Sequence, residues 1–438
     1  MSQIQPDFYN KSDRKNFSFE RPINVACGML TLNLIQTAAF AGLFLFVGYA
    51  LCRWIRPLSR YNIPAPVVGG LIVALAVLVG RQFGFSLFQF DTALREPFMI
   101  VFFTIIGFGA SLSLLKVGGP QVLLFFIIST VVAVFQNILG ALIAPLFGLK
   151  PLFGVLSGSV TLTGGPATGL AFAPLFEQAG VHGAATIALA AAMFGIVSGG
   201  LIGGPIATFL VDRHRLRKPR GHPGSAPSLS AGEIVEDKVS EPKAAAPEGE
   251  DRESYILLKN LVALFVAMGL GSWLSRWFAG LGITLPAYIG AMFAAAILRN
   301  LDDLTHWIGL SQRTLDDLGH VSLSLFLVLA LMTLKLWELA GLAFPLFVIL
   351  LGQILMITVL CIGPVFRLMG GDYEAAVTSG GFCGFMLGTT ANSMAIMKVI
   401  VDKYGRAPRA FLVVPIVGAF FIDFTNALLI TVCLNLFR

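Results

Sequence analysis

The sequence predicts an all-α polytopic membrane protein, with about ten transmembrane helices in two inverted five-helix repeats, each carrying a re-entrant broken hairpin. Three observations predict it. Hydrophobic residues make up 56% of the chain and charged residues 12%, mean hydropathy is +0.82, and apolar runs of about twenty residues recur throughout. Two Gly- and Thr-rich stretches, 158–169 and 378–390, interrupt such runs. Matching residues also recur between the halves at a nearly constant offset: Pro66 and Gly70 with Pro286 and Gly290, Gln136 with Gln353, and Thr163-Gly164-Gly165 with Ser379-Gly380-Gly381.

Taken in order, residues 1–29 are polar and read as a disordered leader without an evident cleavable signal. The first repeat, 30–211, places helices at 30–52, 62–80, 97–115, 121–147 and 183–211, with a hairpin at 152–178. Residues 212–254 mix Pro, Ser, Ala and charges without an apolar period, the composition of a linker. The second repeat, 255–438, places helices at 255–279, 283–299, 315–339, 341–368 and 409–435, with a hairpin at 374–399.

An odd number of helices per half inverts the second half. The basic run Arg213, Arg215, Arg217, Lys218 and Arg220 puts the linker in the cytoplasm and the amino terminus outside. On that count the Arg53/Arg56/Arg60 loop, Arg367, Lys403, Arg406 and Arg409 also fall inside, so the first hairpin enters from outside and the second from the cytoplasm. Trp54, Trp273, Trp277, Trp307 and Trp337 fall at or near helix ends, as an interfacial aromatic belt requires. The net charge of +6 therefore reports orientation and gives no reason to expect a nucleic-acid partner. The cysteines at 27, 52, 361, 383 and 433 form no CxxC pair and suggest neither a disulfide framework nor a metal site. No hydrolase triad or phosphate-binding loop points to an enzyme or to a bound cofactor.

Adjacent glycines and Pro166 stop a helix near Thr163 and restart it near Pro166. Broken backbone at membrane depth survives where protein or a watery cavity satisfies it, and freed helix ends bind ions. The half-helix starting at Pro166 suits a carboxylate, with Thr161, Thr163 and Thr168 adding hydroxyls. The second stretch offers Ser379, Thr389, Thr390, Asn392 and Ser393 in the same way, and freed carbonyls suit sodium. The competing reading of these Gly and Thr residues is close helix packing. Asp423, about midway along the last helix, is costly there unless paired or functional. With Asn426 on the same face it forms a candidate ligand pair for sodium or a coupling proton, against a structural hydrogen bond to a neighbouring helix. Gln136, Asn137 and Gln353 are candidate pore-lining polar residues, or interhelical bonds without substrate contact. Asp316, Asp317 and His320 start a helix, where acids suit its positive end, and Lys335 with Glu338 reads as an interfacial pair.

The chain resembles the bacterial sodium/glutamate symporters over nearly all of 30–435. The resemblance rests on Tyr61-Asn62-Ile63-Pro64-Ala65-Pro66-Val67-Val68-Gly69-Gly70, on residues 157–165 of the first hairpin, and on Gly199-Gly200-Leu201-Ile202-Gly203-Gly204-Pro205. Leu334-Lys335-Leu336-Trp337-Glu338-Leu339-Ala340 and the run from Ala410 to Asp423 complete it. It implies a homodimeric inner-membrane secondary transporter, whose two hairpins carry L-glutamate or a related small anion together with sodium in an elevator-like movement. The family pattern has His-Gly after Gly164-Gly165, where this chain has Pro166-Ala167. It has His-Cys after Gly381, where this chain has Phe382-Cys383 with Gly384 retained. Met386 stands where the family tends to have Gly, and Ala391 where it tends to have Pro. The two replaced histidines occupy equivalent positions in the two repeats, so Pro166 and Phe382 are expected to meet in one site of altered substrate preference, which includes Gly164, Gly165, Gly381, Phe382 and Cys383. The alternatives are a carrier for another carboxylate or sulfonate, proton-coupled in one version, and, in other classes, a passive channel or a membrane sensor. No filter-like repeat supports a channel, and the linker lacks the apolar content of a signalling domain.

Overall fold

The computed structural model describes residues 30–83, 88–113, 119–216, 251–280, 285–305 and 308–437; the leader, Trp307 and most of the linker lie outside them. The first half runs β1 (Leu30–Leu32), α1 (Leu34–Trp54), α2 (Arg56–Arg60), α3 (Ala65–Gln82), β2 (Phe88–Phe90), α4 (Arg95–Gly109), α5 (Gly119–Ile143), α6 (Pro151–Val155), α7 (Gly165–Gln178) and α8 (Ala184–Arg213). The second half runs α9 (Arg252–Gly280), α10 (Ala287–Thr305), α11 (Gln312–Met332), α12 (Ala343–Leu360), α13 (Tyr373–Met386), α14 (Thr390–Tyr404), α15 (Pro408–Ile416) and α16 (Ile422–Leu436). Pro364 sits in a π turn that carries α12 on to Leu368, and a second π turn, Val417–Phe421, joins α15 to α16.

The protein is a multi-pass α-helical membrane protein. Among the described residues, α1, α3, α5, α8, α9, α11 and α12 are long and apolar enough to cross a bilayer. At the other three expected crossings stand the shorter α4, the more charged α10, and the interrupted pair α15–α16. The outward faces are as apolar as the inward ones: Leu123, Ile127, Val131, Phe135 and Leu142 form an exposed stripe along α5. The all-α class holds, with one short addition. Residues 30–32 and 88–90 pair as a parallel two-stranded ribbon, Leu30 opposite Phe88, because both segments are extended where the chain enters α1 and leaves α3.

Local chemistry explains the helix ends. Asn33 and Gln36 form a reciprocal capping box at α1, and Ser311, Asp372 and Thr389 cap α11, α13 and α14 through their side chains. A cation stands at the feet of each helical hairpin. Lys150 donates to the Ala179 carbonyl at 3.0 Å. Arg409 pairs with Asp372 at 2.5 Å, while its own backbone N–H donates to Glu374 at 2.7 Å.

The helices pack in two groups. One holds α1, α3, α4, α9, α10 and α11; the other holds α5–α8 and α12–α16, so each draws on both halves of the chain. The seam between them is largely aromatic. Phe172 of α7 lies 5.3 Å from Tyr288 of α10 and 6.3 Å from Phe103 of α4, ring centre to ring centre, and Phe293 of α10 meets Phe424 of α16 at 5.4 Å. Two hydrogen bonds also cross it: Arg95 to the Leu170 carbonyl at 3.2 Å, and Thr186 to the Lys335 carbonyl at 3.1 Å.

Candidate functional site

The first hairpin breaks where the sequence places the break. Helical backbone runs to Leu162, Thr163 and Gly164 make the turn, and α7 restarts at Gly165 with Pro166 in its first turn. Gly165 has φ +67°, the left-handed conformation that only glycine adopts without strain. A second irregularity, earlier in the arm, was not anticipated. Gly158 leaves helical geometry (φ −102°, ψ −129°) inside a π turn at Leu156–Val160. Two side chains from other helices repair it: Asn137 Oδ1 accepts from the Ser159 N–H at 3.0 Å, and Asn426 Nδ2 donates to the Ser159 carbonyl at 2.9 Å. Thr161 donates back to the Leu156 carbonyl at 2.8 Å.

The second hairpin turns inside the flagged stretch 378–390, at its far end. Ser379-Gly380-Gly381 lie inside the unbroken α13, and the turn falls at Leu387-Gly388-Thr389. These glycines serve packing instead. A methyl group on Gly380 would meet the Gly203 carbonyl at 2.8 Å, and one on Gly195 would meet the Leu387 carbonyl at 2.3 Å. Gly380, Gly384 and Gly388 thus form a one-turn stripe against Gly195, Gly199 and Gly203 of α8, the close approach that small residues permit between helices. Phe382 is buried edge-on against Phe125 at 5.4 Å, and Cys383 lies beside Cys361. Phe382 is therefore about 9 Å along the helix axis from Gly388, whereas Pro166 adjoins its own tip. The two departures from the family pattern do not occupy equivalent positions.

The residues that do meet are the tips themselves. A methyl on Gly165 would lie 3.8 Å from Thr389 Cγ2 and 3.9 Å from the Gly388 carbonyl. Gln136 of α5 ties both tips: its Oε1 accepts from Thr163 Oγ1 at 2.6 Å, and its Nε2 donates to the Met386 carbonyl at 2.8 Å. Gln353 of α12 donates in turn to the Gln136 carbonyl at 2.7 Å. Asn392 donates to the Ile196 carbonyl at 3.0 Å, and Thr389 accepts from the Asn392 N–H at 3.2 Å. Thr390 faces Gly418 in the π turn before α16, and Thr168 is buried behind Gly164. Gln136, Asn137 and Gln353 thus hold the hairpins by interhelical bonds in the buried interior.

Asp423 stands just after the π turn, and among the described residues its carboxylate has no hydrogen bond or ion pair. Asn426 Oδ1 and Ser159 Oγ, both fully buried at the Gly158 break, are likewise without partners, as are Gln353 Oε1, Ser379 Oγ and Ser393 Oγ. Burying an oxygen unpaired costs about 1–3 kcal/mol. Such hard neutral oxygens, with one unpaired carboxylate on the same helix, match the coordination taste of an alkali cation. Ser159 is the one member that sequence reasoning did not single out for a role, although it lies inside the stretch flagged as broken.

The chain matches the profile of the sodium/glutamate symporters over residues 30–406, which span both hairpins. The chain belongs to the sodium/glutamate symporter family. It is 40% identical over 411 residues to the sodium/glutamate symporter of Escherichia coli (strain K12), covering 93% of this chain and 99% of that protein. It is 38% identical over 403 residues to that of Haemophilus influenzae, covering 92% and 97%. Symporters of this family are transporters, so this family member is a transporter and not an enzyme.

Proposed function

We propose that the chain is a sodium-coupled symporter of L-glutamate or a related small organic anion, working by alternating access in the inner membrane. The observation that carries the reading is the family match across both hairpins. The substrate binds at the meeting tips, where the positive N-terminal ends of α7, with Gly165 and Pro166, and of α14, with Thr389, Thr390 and Asn392, face each other. Sodium binds at the Gly158 break, on Asp423, Asn426 Oδ1 and Ser159 Oγ. The two helix groups support an elevator: the hairpin group slides along the aromatic seam while the other, as the core of a homodimer, stays fixed. Ten crossings in two inverted repeats, with hairpins entering from opposite sides, the amino terminus outside and the linker in the cytoplasm, complete the proposal.

Uptake of labelled glutamate into proteoliposomes tests it. Accumulation driven by an inward sodium gradient and absent with potassium is expected; a folded protein that accumulates no glutamate sinks the substrate assignment. Pro166, at the tip in place of the family's histidine, favours a second reading, a different carboxylate or a sulfonate as cargo, which a sodium-dependent thermal shift with that anion would reveal.

A further inference from the structure

A polar cavity of about 320 Å³ opens at one end of the seam, beside the feet of the first hairpin. Its wall carries Arg95 from α4, Glu177 from α7, His182 and Thr186 from the start of α8, and Lys335 and Glu338 from the turn after α11. Both hydrogen bonds that cross the seam lie in this wall. The charges are only loosely paired in place. Arg95 spends one N–H on the Leu170 carbonyl, which is available because Pro174, four residues on, has no N–H to offer it. The remaining donors of Arg95 have no protein acceptor among the described residues. Lys335 makes a loose 3.7 Å contact with Glu338, and its side chain stays 62% exposed. The volume lies within the about 300–1,000 Å³ of small-molecule pockets, and two cations and two anions line it.

We propose that this cavity is a recruitment site for a zwitterionic amino acid with a second acid group, its carboxylates received by Arg95 and Lys335 and its ammonium by Glu177 or Glu338. The site is separate from the hairpin tips and rests on the transport reading only for the identity of the amino acid. It raises the local concentration of substrate at the edge of the moving group before the tips engage it, and is governed by charge attraction that salt screens.

Initial rates of glutamate uptake against concentration, at low and high ionic strength, test the proposal in wild type, Lys335→Ala and Arg95→Gln. Lys335→Ala, which removes no buried bond, is expected to raise KM about five- to tenfold at low salt with kcat held, and to flatten the salt dependence. Arg95→Gln is expected to do the same with an added loss of kcat, because it also releases Leu170. A wild-type KM and salt response in Lys335→Ala overturns the site, whatever Arg95→Gln does. A wild type that accumulates no glutamate fails the transport reading instead. Calorimetric titration of the purified proteins with glutamate then decides the cavity: binding lost in Lys335→Ala keeps it, while equal binding, or none in wild type, removes it.

Discussion

Gln353 donates its Nε2–H to the backbone carbonyl of Gln136 at 2.7 Å, so two residues 217 positions apart are bonded to each other in the interior. Gln136 in turn holds Thr163 of one hairpin tip and the Met386 carbonyl of the other. A single side chain therefore sets the spacing of the two tips, and it does so from outside both hairpins.

Replacing it with Ala frees Thr163 Oγ1 and the Met386 carbonyl in the buried interior. Gln136→Ala is expected to destabilise by about 2–4 kcal/mol, two lost bonds with their partners left buried. Thermal unfolding in detergent reads the loss, and uptake should fall more steeply than folded yield. A variant with wild-type melting and uptake would show that the tips hold their spacing without Gln136.

Sodium dependence separates the oxygens at the Gly158 break from their neighbours. Ser159→Ala and Asn426→Ala are each expected to raise the sodium concentration for half-maximal uptake about tenfold, with Asp423→Asn abolishing coupled uptake. Asn426→Ala carries a structural cost as well, because its Nδ2 supports the Ser159 carbonyl; Ser159→Ala does not touch a side-chain bond and is the cleaner test. Unchanged sodium curves for Ser159→Ala and Asp423→Asn would move the ion elsewhere.

Two glycines of the first hairpin should fail in different ways. Gly154→Ala drives a methyl into the Gly140 carbonyl at 1.8 Å, a backbone clash that forces α5 and α6 apart and is expected to abolish folded yield. Gly165→Ala meets nothing closer than 3.8 Å but must hold φ +67°, a strain of about 1–2 kcal/mol. It should fold and transport slowly. Equal yields from the two variants would contradict this ordering.

Phe382 and Pro166 can be tested apart. Phe382→Ala empties a fully buried ring site against Phe125 and is expected to cost about 3–5 kcal/mol, read as a lower melting point with an unchanged ranking of competing anions. Pro166→His, at the tip, should change that ranking. If Phe382→Ala reorders the anions instead, the α13 arm reaches the substrate.

Much of this was legible in the sequence. Thr163 to Pro166 announced its break because Gly-Gly-Pro excludes a helix interior on local grounds, and the membrane class followed from the apolar runs. Ser379-Gly380-Gly381 misled for a physical reason: in an apolar helix, glycines that permit a break and glycines that permit contact have the same composition. What separates them is the neighbour, and Gly380 meets Gly203 and Ala207 of α8, remote in sequence. Ser159 was hidden in the same way. It lies within a flagged stretch, but Asn426, which bonds its backbone carbonyl, comes from the last helix, 267 residues on. Arg95 carried no motif at all, and nothing nearby in the chain foretold the carbonyl that Pro174 leaves open for it.

The ring contacts among Phe103, Phe172 and Tyr288 have a mechanical meaning. Aromatic pairs prefer edge-to-face or offset geometry, so these contacts hold one register of the two helix groups. The bonds from Arg95 and Thr186 fix the same register, since each joins one donor to one carbonyl. On the proposed elevator reading, rings and bonds together form a latch, released as a set when the hairpin group travels.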